Sequence, residues 1–300
     1  MRWLPRRRWV RLVLAVMAVL SVVLITKWRA AITRSRQIPF QPFRIAGNLY
    51  YVGNSDVTSF LLTGPAGHVL VDGGYAETAP LIVQSIGKLG FKITDVKVLL
   101  NSHAHFDHAG GLKELQDASG AQLWISEGDA QAIASGGAHD PSATFISRYP
   151  APRIDHRFRD GTTVRLGPLE LTAHVTAGHT RGCTSWSFPV RDGDRELQAV
   201  SICSLSLLPG MSFVEPEKYP GIRADFERSF QTLRSLPADI FLGAHANFFD
   251  LHRKLRERTG TGDPAAPFID RAGYLDFIDQ AEKKFRQKLA AQQRTGAPAP

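Results

Sequence analysis

Cysteine is scarce in this sequence, with only two among its 300 residues, at positions 183 and 203. Two cysteines allow at most one disulfide, so a small fold held together by several disulfides is excluded. Internal repeats are also lacking, which argues against a solenoid. The apolar fraction of 43% and the charged fraction of 21% are those of an ordinary globular protein.

The body of the chain has almost no net charge, although the whole chain carries +8. Nine of the 36 basic residues and none of the 28 acidic residues lie within residues 1–36. Residues 37–300 therefore hold 27 basic and 28 acidic residues. This balance argues against a nucleic-acid partner, because such proteins present a basic surface to the phosphates.

No apolar run is as long as the roughly 20 residues that a membrane-spanning helix needs. The longest, Leu12 to Ile25, follows five arginines and ends near Lys27, which is the layout of a secretory signal. A cleaved signal and an uncleaved inner-membrane tether through residues 9–28 both stay open. We expect residues 1–36 to be a signal peptide or membrane anchor, and residues 37–300 to form the catalytic domain in the periplasm, either soluble or tethered.

Three histidines and one aspartate fall within the six residues 103–108, which read HAHFDH. Imidazole and carboxylate are ligands that suit zinc and related metals. The motif follows a predicted buried strand at 97–100, and α/β sheets bind ligands at such strand ends. His103 and His105 alternate and point the same way in extended chain, whereas Asp107 and His108 follow where the chain turns. The motif can therefore serve two metal ions.

Two further histidines and one aspartate also follow predicted strands. His179 comes after the strand Leu169–Val175, and His245 comes after Asp239–Leu242. Asp72 ends another strand and either orients ligand imidazoles from outside the metal site or only closes its turn. We expect all three to lie near the HAHFDH motif.

Runs of predicted strands alternate with helices along the body. Strands near residues 49–71 and 97–125 are followed or interrupted by helices, and a second run of strands spans 162–202. Helices are predicted at 223–235 and 274–293. Two β-rich halves, each closed by helices, indicate a layered α/β sandwich.

The spacing of these motifs resembles the metallo-β-lactamase superfamily over roughly residues 40–290. The resemblance implies an αββα four-layer sandwich with a site for two zinc ions on the rim between its sheets. By position, the first zinc would be held by His103, His105 and His179. The second would be held by Asp107, His108 and His245.

Within the superfamily the chain is most similar to subclass B3 β-lactamases. Glyoxalase II-like thioesterases, lactonases and nucleases usually place a bridging Asp at the end of the strand before the last histidine, and subclasses B1 and B2 place a Cys. Residues 202–206 here read ICSLS, without an Asp. The resemblance implies that Ser204 and Ser206 contact the substrate carboxylate. Met211 stands about where several members have a polar side chain, which argues against oxyanion assistance from that residue.

The two cysteines are equidistant from Gly193, in an Asp-Gly-Asp turn. In a hairpin centred there, Cys183 and Cys203 would lie directly opposite each other. We therefore expect a disulfide between them in an oxidising compartment. A free or zinc-binding thiol is the alternative, although Cys203 should point to the opposite face of the strand from Ser204.

The function implied by this resemblance is zinc-dependent opening of the β-lactam ring by a metal-bound hydroxide, with Asp107 orienting the water or accepting its proton. We expect two zinc ions per chain, a small-molecule substrate and a monomer. One alternative is another hydrolase of the same fold, such as a lactonase or thioesterase. The other is a non-catalytic metal-binding module.

Overall fold

The structure is a computed structural model that describes residues 9–11, 13–17, 20–21, 40–140, 147–260 and 262–295. The chain forms two compact units, Met1–Ile38 and Pro39–Pro300. In the first unit the described residues are helical. Among the helices of the described residues, none has the length and apolar character needed to cross a membrane. Half of the predicted tether at 9–28 lies outside the described residues, so it stays a prediction.

The first sheet has seven strands in chain order. Neighbours from β1 to β4 are antiparallel, and neighbours from β4 to β7 are parallel. The strands are β1 (Phe43–Ala46), β2 (Leu49–Tyr51), β3 (Phe60–Gly64), β4 (Gly67–Val71), β5 (Val96–Leu100), β6 (Gln122–Ser126) and β7 (His156–Phe158).

The second sheet has five strands in the order β12-β11-β10-β9-β8. Its pairs are antiparallel except for β12, which runs parallel to β11. The strands are β8 (Thr163–Leu166), β9 (Leu169–Val175), β10 (Thr184–Asp192), β11 (Arg195–Ile202) and β12 (Ile240–Gly243).

Seven α-helices of the described body connect or cover these strands. They are α1 (Ala79–Lys88), α2 (Phe106–Ala109), α3 (Leu112–Ser119), α4 (Ala130–Ala134), α5 (Ile222–Ser235), α6 (Leu251–Arg258) and α7 (Arg271–Thr295). Single 3-10 turns lie at Ala76–Thr78, Ile93–Asp95, Ala246–Phe248 and Ala266–Phe268.

The alternation of side chains along the strands creates the layers. Val69 and Val71 of β4 belong to the core shared with Trp186 of the second sheet, whereas Leu70 between them packs with Ile82 of α1. Successive side chains of a strand point to opposite faces, so the first sheet is buried on both sides. The helices on its far side form one outer layer.

Aromatic side chains attach the other outer layer to the second sheet. Tyr274 of α7 contacts Phe241 of β12 with ring centroids 5.5 Å apart. Phe226 of α5 stacks on Phe285 of α7 at 5.4 Å. The predicted αββα sandwich is therefore confirmed.

The disulfide between Cys183 and Cys203 is confirmed, with Cα atoms 5.8 Å apart. The alternative of a free or zinc-binding thiol is wrong. The predicted register is also wrong by one residue. Asp192 pairs with Arg195 and Trp186 with Ser201, so extending the same register would place Cys203 opposite residue 184. The turn has two central residues instead of being centred on Gly193, and the disulfide bridges diagonal positions just beyond the strand ends.

Candidate metal centre

The predicted site residues lie at one edge of the body, in loops that follow the carboxyl ends of strands. Asp72 follows β4, the HAHFDH motif follows β5, His179 follows β9 and His245 follows β12. A backbone hydrogen bond 2.8 Å long, from Thr184 N at the start of β10 to Ser102 O in the loop after β5, joins the two sheets. The strand ends therefore bring together residues that are far apart in sequence.

The first group of ligand candidates consists of His103, His105 and His179. Each offers one ring nitrogen, and these atoms all lie within 4.8 Å of one another. The ring centroids of His103 and His105 are each less than 5 Å from that of His179, at 4.8 and 4.6 Å. This spacing is suitable for three ligands of one metal ion.

The second group consists of Asp107, His108 and His245. The Nε2 atoms of His108 and His245 are 3.2 Å apart, and Asp107 Oδ2 lies 3.4 Å from the first and 3.6 Å from the second. Tetrahedral zinc with bonds of about 2.0 to 2.1 Å separates its ligand atoms by roughly 3.3 Å. The three donor atoms thus have the spacing that a zinc ion requires.

The two groups are adjacent. The rings of His103 and His108 are 4.2 Å apart between centroids, and ligand atoms of His103, Asp107 and His108 also lie within 4.8 Å of one another. Because five imidazoles and one carboxylate are ligands that suit zinc, the donor set fits a divalent metal.

Each of the five imidazoles contacts an oxygen atom through one ring nitrogen, which fixes the orientation of the ring. The contacts are His103 Nδ1 to Ser102 Oγ at 3.0 Å, His105 Nε2 to Asp140 Oδ2 at 3.2 Å, His108 Nδ1 to Asp72 Oδ2 at 3.3 Å, His179 Nδ1 to Ser206 O at 2.8 Å and His245 Nδ1 to Asp56 Oδ1 at 3.6 Å. Such outer contacts are typical of histidines that bind metals.

Asp72 both shapes the turn after β4 and contacts the ring of His108. Its backbone has a φ of 65°, an uncommon conformation for a residue other than glycine, where the chain leaves β4. Its carboxylate accepts hydrogen bonds from Asn101 Nδ2 at 3.0 Å, Ser102 N at 2.6 Å and Ser102 Oγ at 2.7 Å. It therefore fixes both the start of the motif loop and the ring of His108.

The electrostatics of the first group favour neutral imidazoles. Burial and the neighbouring histidines lower the pKa values of His103 and His179, the latter to about 3. Burial also lowers the pKa of His105, against the opposing effect of Asp140 and Asp107. Neutral imidazole is the form that binds metal ions.

The second group behaves as an ion pair in the absence of a metal. Burial lowers the pKa of His108, but Asp107 and Asp72 outweigh it and raise the value to about 10. Burial raises the pKa of Asp107, but His108 and the other histidines outweigh it, and the net shift is downward. Asp107 is therefore ionised at neutral pH and available as a ligand or proton acceptor.

A cavity of about 440 Å³ opens beside the first group, with His105 and His179 in its wall. Arg181 and Lys218 add positive charge to this wall. The apolar part of the wall includes Phe106, Leu208, Met211, Tyr219 and Ile222. The cavity can hold a small, partly apolar molecule next to the histidines.

The predicted substrate contacts lie close to the first group. Ser206 is exposed, and its carbonyl oxygen is the one that contacts His179. Ser204 is buried, and its hydroxyl accepts a hydrogen bond from Ser206 N at 3.2 Å. Met211 is buried and lines the cavity, where its thioether has no hydrogen to donate.

Sequence reasoning missed three carboxylates around the site. Asp56 and Asp140 contact His245 and His105, and Asp129 binds the backbone of two ligand loops. None of them lies in a recognisable motif. Their only signal in the sequence is an acidic residue in a loop, which is too common to be informative.

The sequence profile described as "Metallo-beta-lactamase superfamily" matches residues 52–194. Among solved structures, the chain is similar to the native metallo-β-lactamase of Legionella gormanii, with 41% identity, a TM-score of 0.81 and coverage of 85% of this chain and 97% of that one. It is also similar to a subclass B3 metallo-β-lactamase of Bradyrhizobium japonicum, with 32% identity, a TM-score of 0.80 and coverage of 87% and 98%.

Curated relatives found by sequence carry a different name. A hydroxyacylglutathione hydrolase of Jannaschia sp. is 30% identical over 134 residues, 45% of this chain and 44% of that protein. One of Rhodopseudomonas palustris is 30% identical over 189 residues, 63% of this chain and 61% of that protein. The chain thus spans 44% and 61% of the length of these two relatives.

Proposed function

The chain belongs to the metallo-β-lactamase superfamily, and we propose that it is a zinc-dependent hydrolase that opens the β-lactam ring of antibiotics, as subclass B3 enzymes do. The observation that carries this proposal is the 41% identity with a metallo-β-lactamase across 97% of that enzyme's chain. The similarity covers 85% of this chain, whereas the curated hydroxyacylglutathione hydrolases match over a smaller share of their length.

We propose two zinc ions per chain, one for each group of ligand candidates. His103, His105 and His179 would hold the first ion, and Asp107, His108 and His245 the second. The mutual distances of 3.2 to 3.6 Å in the second group support this assignment. Bound zinc would supply a water of lowered pKa and polarise the carbonyl oxygen of the substrate.

The residues of the chain would orient the substrate and move the proton. Asp107, ionised between His108 and His245, would orient the attacking water and accept its proton. Ser204 and Ser206 would contact the substrate carboxylate, and the exposed Ser206 is the better placed of the two. The apolar wall of the cavity would receive the substituent of the ring.

The test is a panel of a penicillin, a cephalosporin and a carbapenem, incubated with the zinc-loaded protein. We expect ring opening that a chelator abolishes, that added zinc restores and that a serine-directed inhibitor leaves unchanged. The His179→Ala variant should lose activity by at least about a hundredfold. A zinc-loaded wild-type protein that leaves all three antibiotics intact refutes the β-lactamase proposal.

The second candidate is a thioesterase of the hydroxyacylglutathione type, which the names of the curated relatives favour. Against it, the loop after β11 carries Cys203 and Ser204 where the family resemblance leads us to expect a bridging Asp in thioesterases, and Cys203 is held in a disulfide. Turnover of a hydroxyacylglutathione thioester without turnover of any β-lactam would favour this candidate. Absence of both activities, with fewer than two zinc ions bound, would favour a non-catalytic module.

We propose that the protein is exported to the periplasm as a monomer. The basic and then apolar N-terminus and the disulfide support the export, because disulfides persist in oxidising compartments. Cell fractionation tests it, and recovery of the protein in the cytoplasm with both cysteines reduced contradicts it.

A further inference from the structure

Asp129 is a buried carboxylate at the N-terminal end of α4, only 4% exposed, and it accepts three hydrogen bonds. Its Oδ2 accepts from Ala104 N at 2.9 Å and from Thr180 Oγ1 at 2.8 Å. Its Oδ1 accepts from Gly182 N at 2.8 Å. One side chain therefore binds two loops that belong to different sheets.

These two loops carry the whole first group of ligand candidates. Ala104 lies between His103 and His105, and Thr180 directly follows His179. The carbonyl of Ala104 is bound as well, by Tyr149 Oη at 2.7 Å. The peptide group between His103 and Ala104 and the one between Ala104 and His105 are thus each held by a side chain.

The contact between the Asp129 turn and the loop of His179 is closely packed. A Cβ atom added to Gly182 would overlap Ser126 Oγ and Asp129 N. Ser126 Oγ also donates a hydrogen bond to Gly182 O at 2.7 Å. The loop of His179 therefore lies so close to the Asp129 turn that position 182 has no room for a side chain.

We propose that Asp129 is a positioning residue that holds His103, His105 and His179 at the mutual distances that a metal ion requires. The proposal rests on the assignment of these histidines to the first zinc ion. Although burial raises the pKa of Asp129 to about 6, the group is ionised at pH 7.5 and accepts from all three donors. Asp129 acts through Ala104 and Thr180, not through contact with the substrate.

The decisive variant is Asp129→Asn, which keeps the size of the side chain but replaces one acceptor oxygen by an amino group. In either orientation of the amide, a backbone N–H of Ala104 or Gly182 loses its acceptor. We expect zinc affinity at the first site to fall by about 10- to 100-fold. The measurement is competition with a chromophoric chelator at pH 7.5, in a His245→Ala background that disables the second site.

The second site supplies a readout that a general loss of stability would not reproduce. His108 and His245 contact Asp72 and Asp56, so in a His179→Ala background Asp129→Asn should leave zinc affinity within about twofold. Asp155→Asn is the matched control. Asp155 also accepts from a backbone N–H, that of Leu123 at 2.9 Å, but the groups that donate to it belong to neither ligand loop.

Thr180→Val is the second variant, since it removes one donor and keeps the shape of the side chain. We expect a smaller loss of affinity at the first site, and this variant decides the matter if Asp129→Asn does not fold. Three results overturn the proposal. They are an unchanged zinc affinity in Asp129→Asn, an equal loss of zinc affinity at both sites, and the same loss of zinc affinity in Asp155→Asn. A wild-type chain that binds no zinc overturns the metal assignment with it, whereas a chain that binds zinc without opening β-lactams overturns only the proposed function.

Discussion

At the scale of single residues, Asp72 links the turn after β4 to the ring of His108. In Asp72→Asn the amide cannot accept from all of the donors that surround the carboxylate, so one of them loses its partner. We expect zinc affinity at the second site to fall by about 10- to 100-fold. Chelator competition measures this, with the exposed Asp117→Asn as control. Unchanged affinity would show that Asp72 only closes its turn.

The buried histidines predict how the stability of the metal-free protein depends on pH. His179 has a folded pKa of about 3, below the unfolded value of about 6.5, so its contribution is present above pH 6.5 and is lost as the pH falls towards 3. His103 and His105 shift in the same direction. The pKa of His108 is instead raised to about 10, so its contribution to stability is present below pH 6.5 and is lost as the pH rises from about 6.5 to 10.

We therefore expect the free energy of unfolding of the metal-free protein to fall by about 1–3 kcal/mol per pH unit between pH 6 and pH 4. Asp129 opposes part of this fall, because its raised pKa favours the folded state as it takes up a proton. Urea unfolding in the presence of a chelator measures the slope. His179→Gln should reduce it, and a slope that is flat or reversed in the wild type contradicts the prediction.

The ligand candidates could be predicted from the sequence because they lie at fixed offsets directly after apolar strands. The motif at 103–108 and the glycines around His179 and His245 are local signals. Asp56, Asp140 and Asp129 could not be predicted, because each meets its partner only through the tertiary fold. Local patterns thus identify groups that bind a ligand, but not the groups that orient them.

At the scale of elements, the β10–β11 hairpin is closed by the disulfide just beyond its strand ends. Residues 183 and 203 are separated by 20 positions. Closing a loop of this length lowers the entropy of the unfolded chain and so stabilises the folded state by about 3 kcal/mol. In the Cys183→Ser/Cys203→Ser variant we expect this stability to be lost and Tm to fall by about 6–12 °C. Thermal unfolding followed by circular dichroism, at fixed zinc concentration, measures the change.

Wild-type protein treated with a reductant is the control, and its Tm should equal that of the serine variant. Equal melting temperatures of the oxidised wild type and the variant would contradict the prediction. The pairing itself was predictable because the chain offers one turn between two cysteines. The register was not, because the residues Asp192 to Asp194 fit a turn centred on Gly193 as well as one between Gly193 and Asp194.

Helix bounds followed from the sequence more closely than strand pairing did. The helix predicted at 223–235 spans Ile222–Ser235, and the one predicted at 274–293 spans Arg271–Thr295. Amphipathic spacing defines a helix locally. The connection between the parallel strands β11 and β12 contains α5. Their pairing therefore depends on contacts between distant parts of the chain, and no local pattern predicts it.

At the scale of the whole molecule, binding of zinc to the folded body should raise its stability by mass action. At a free zinc concentration one hundred times the dissociation constant, each site would contribute about 2.7 kcal/mol. We expect Tm to rise with zinc concentration and to fall on addition of a chelator, as differential scanning calorimetry measures. A Tm that is independent of zinc would contradict the assignment of both sites.

The αββα arrangement followed from the family resemblance and not from periodicity alone. Alternating burial in β4, with Val69 and Val71 on one face and Leu70 on the other, shows what the sequence does encode. An apolar run with both faces buried indicates a central strand. The run does not indicate which sheet or helices pack on each face of the strand, because this depends on the packing of the complete chain.

The proposed ligands of each ion come from opposite halves of the sandwich: the HAHFDH motif follows β5, whereas His179 and His245 follow β9 and β12. Neither coordination shell exists until the halves have docked. We therefore expect zinc to bind after the two halves have folded together, and not to direct their folding. If the polypeptide leaves the cell interior unfolded, it acquires its metal at its destination, and the local supply there sets the fraction of working enzyme.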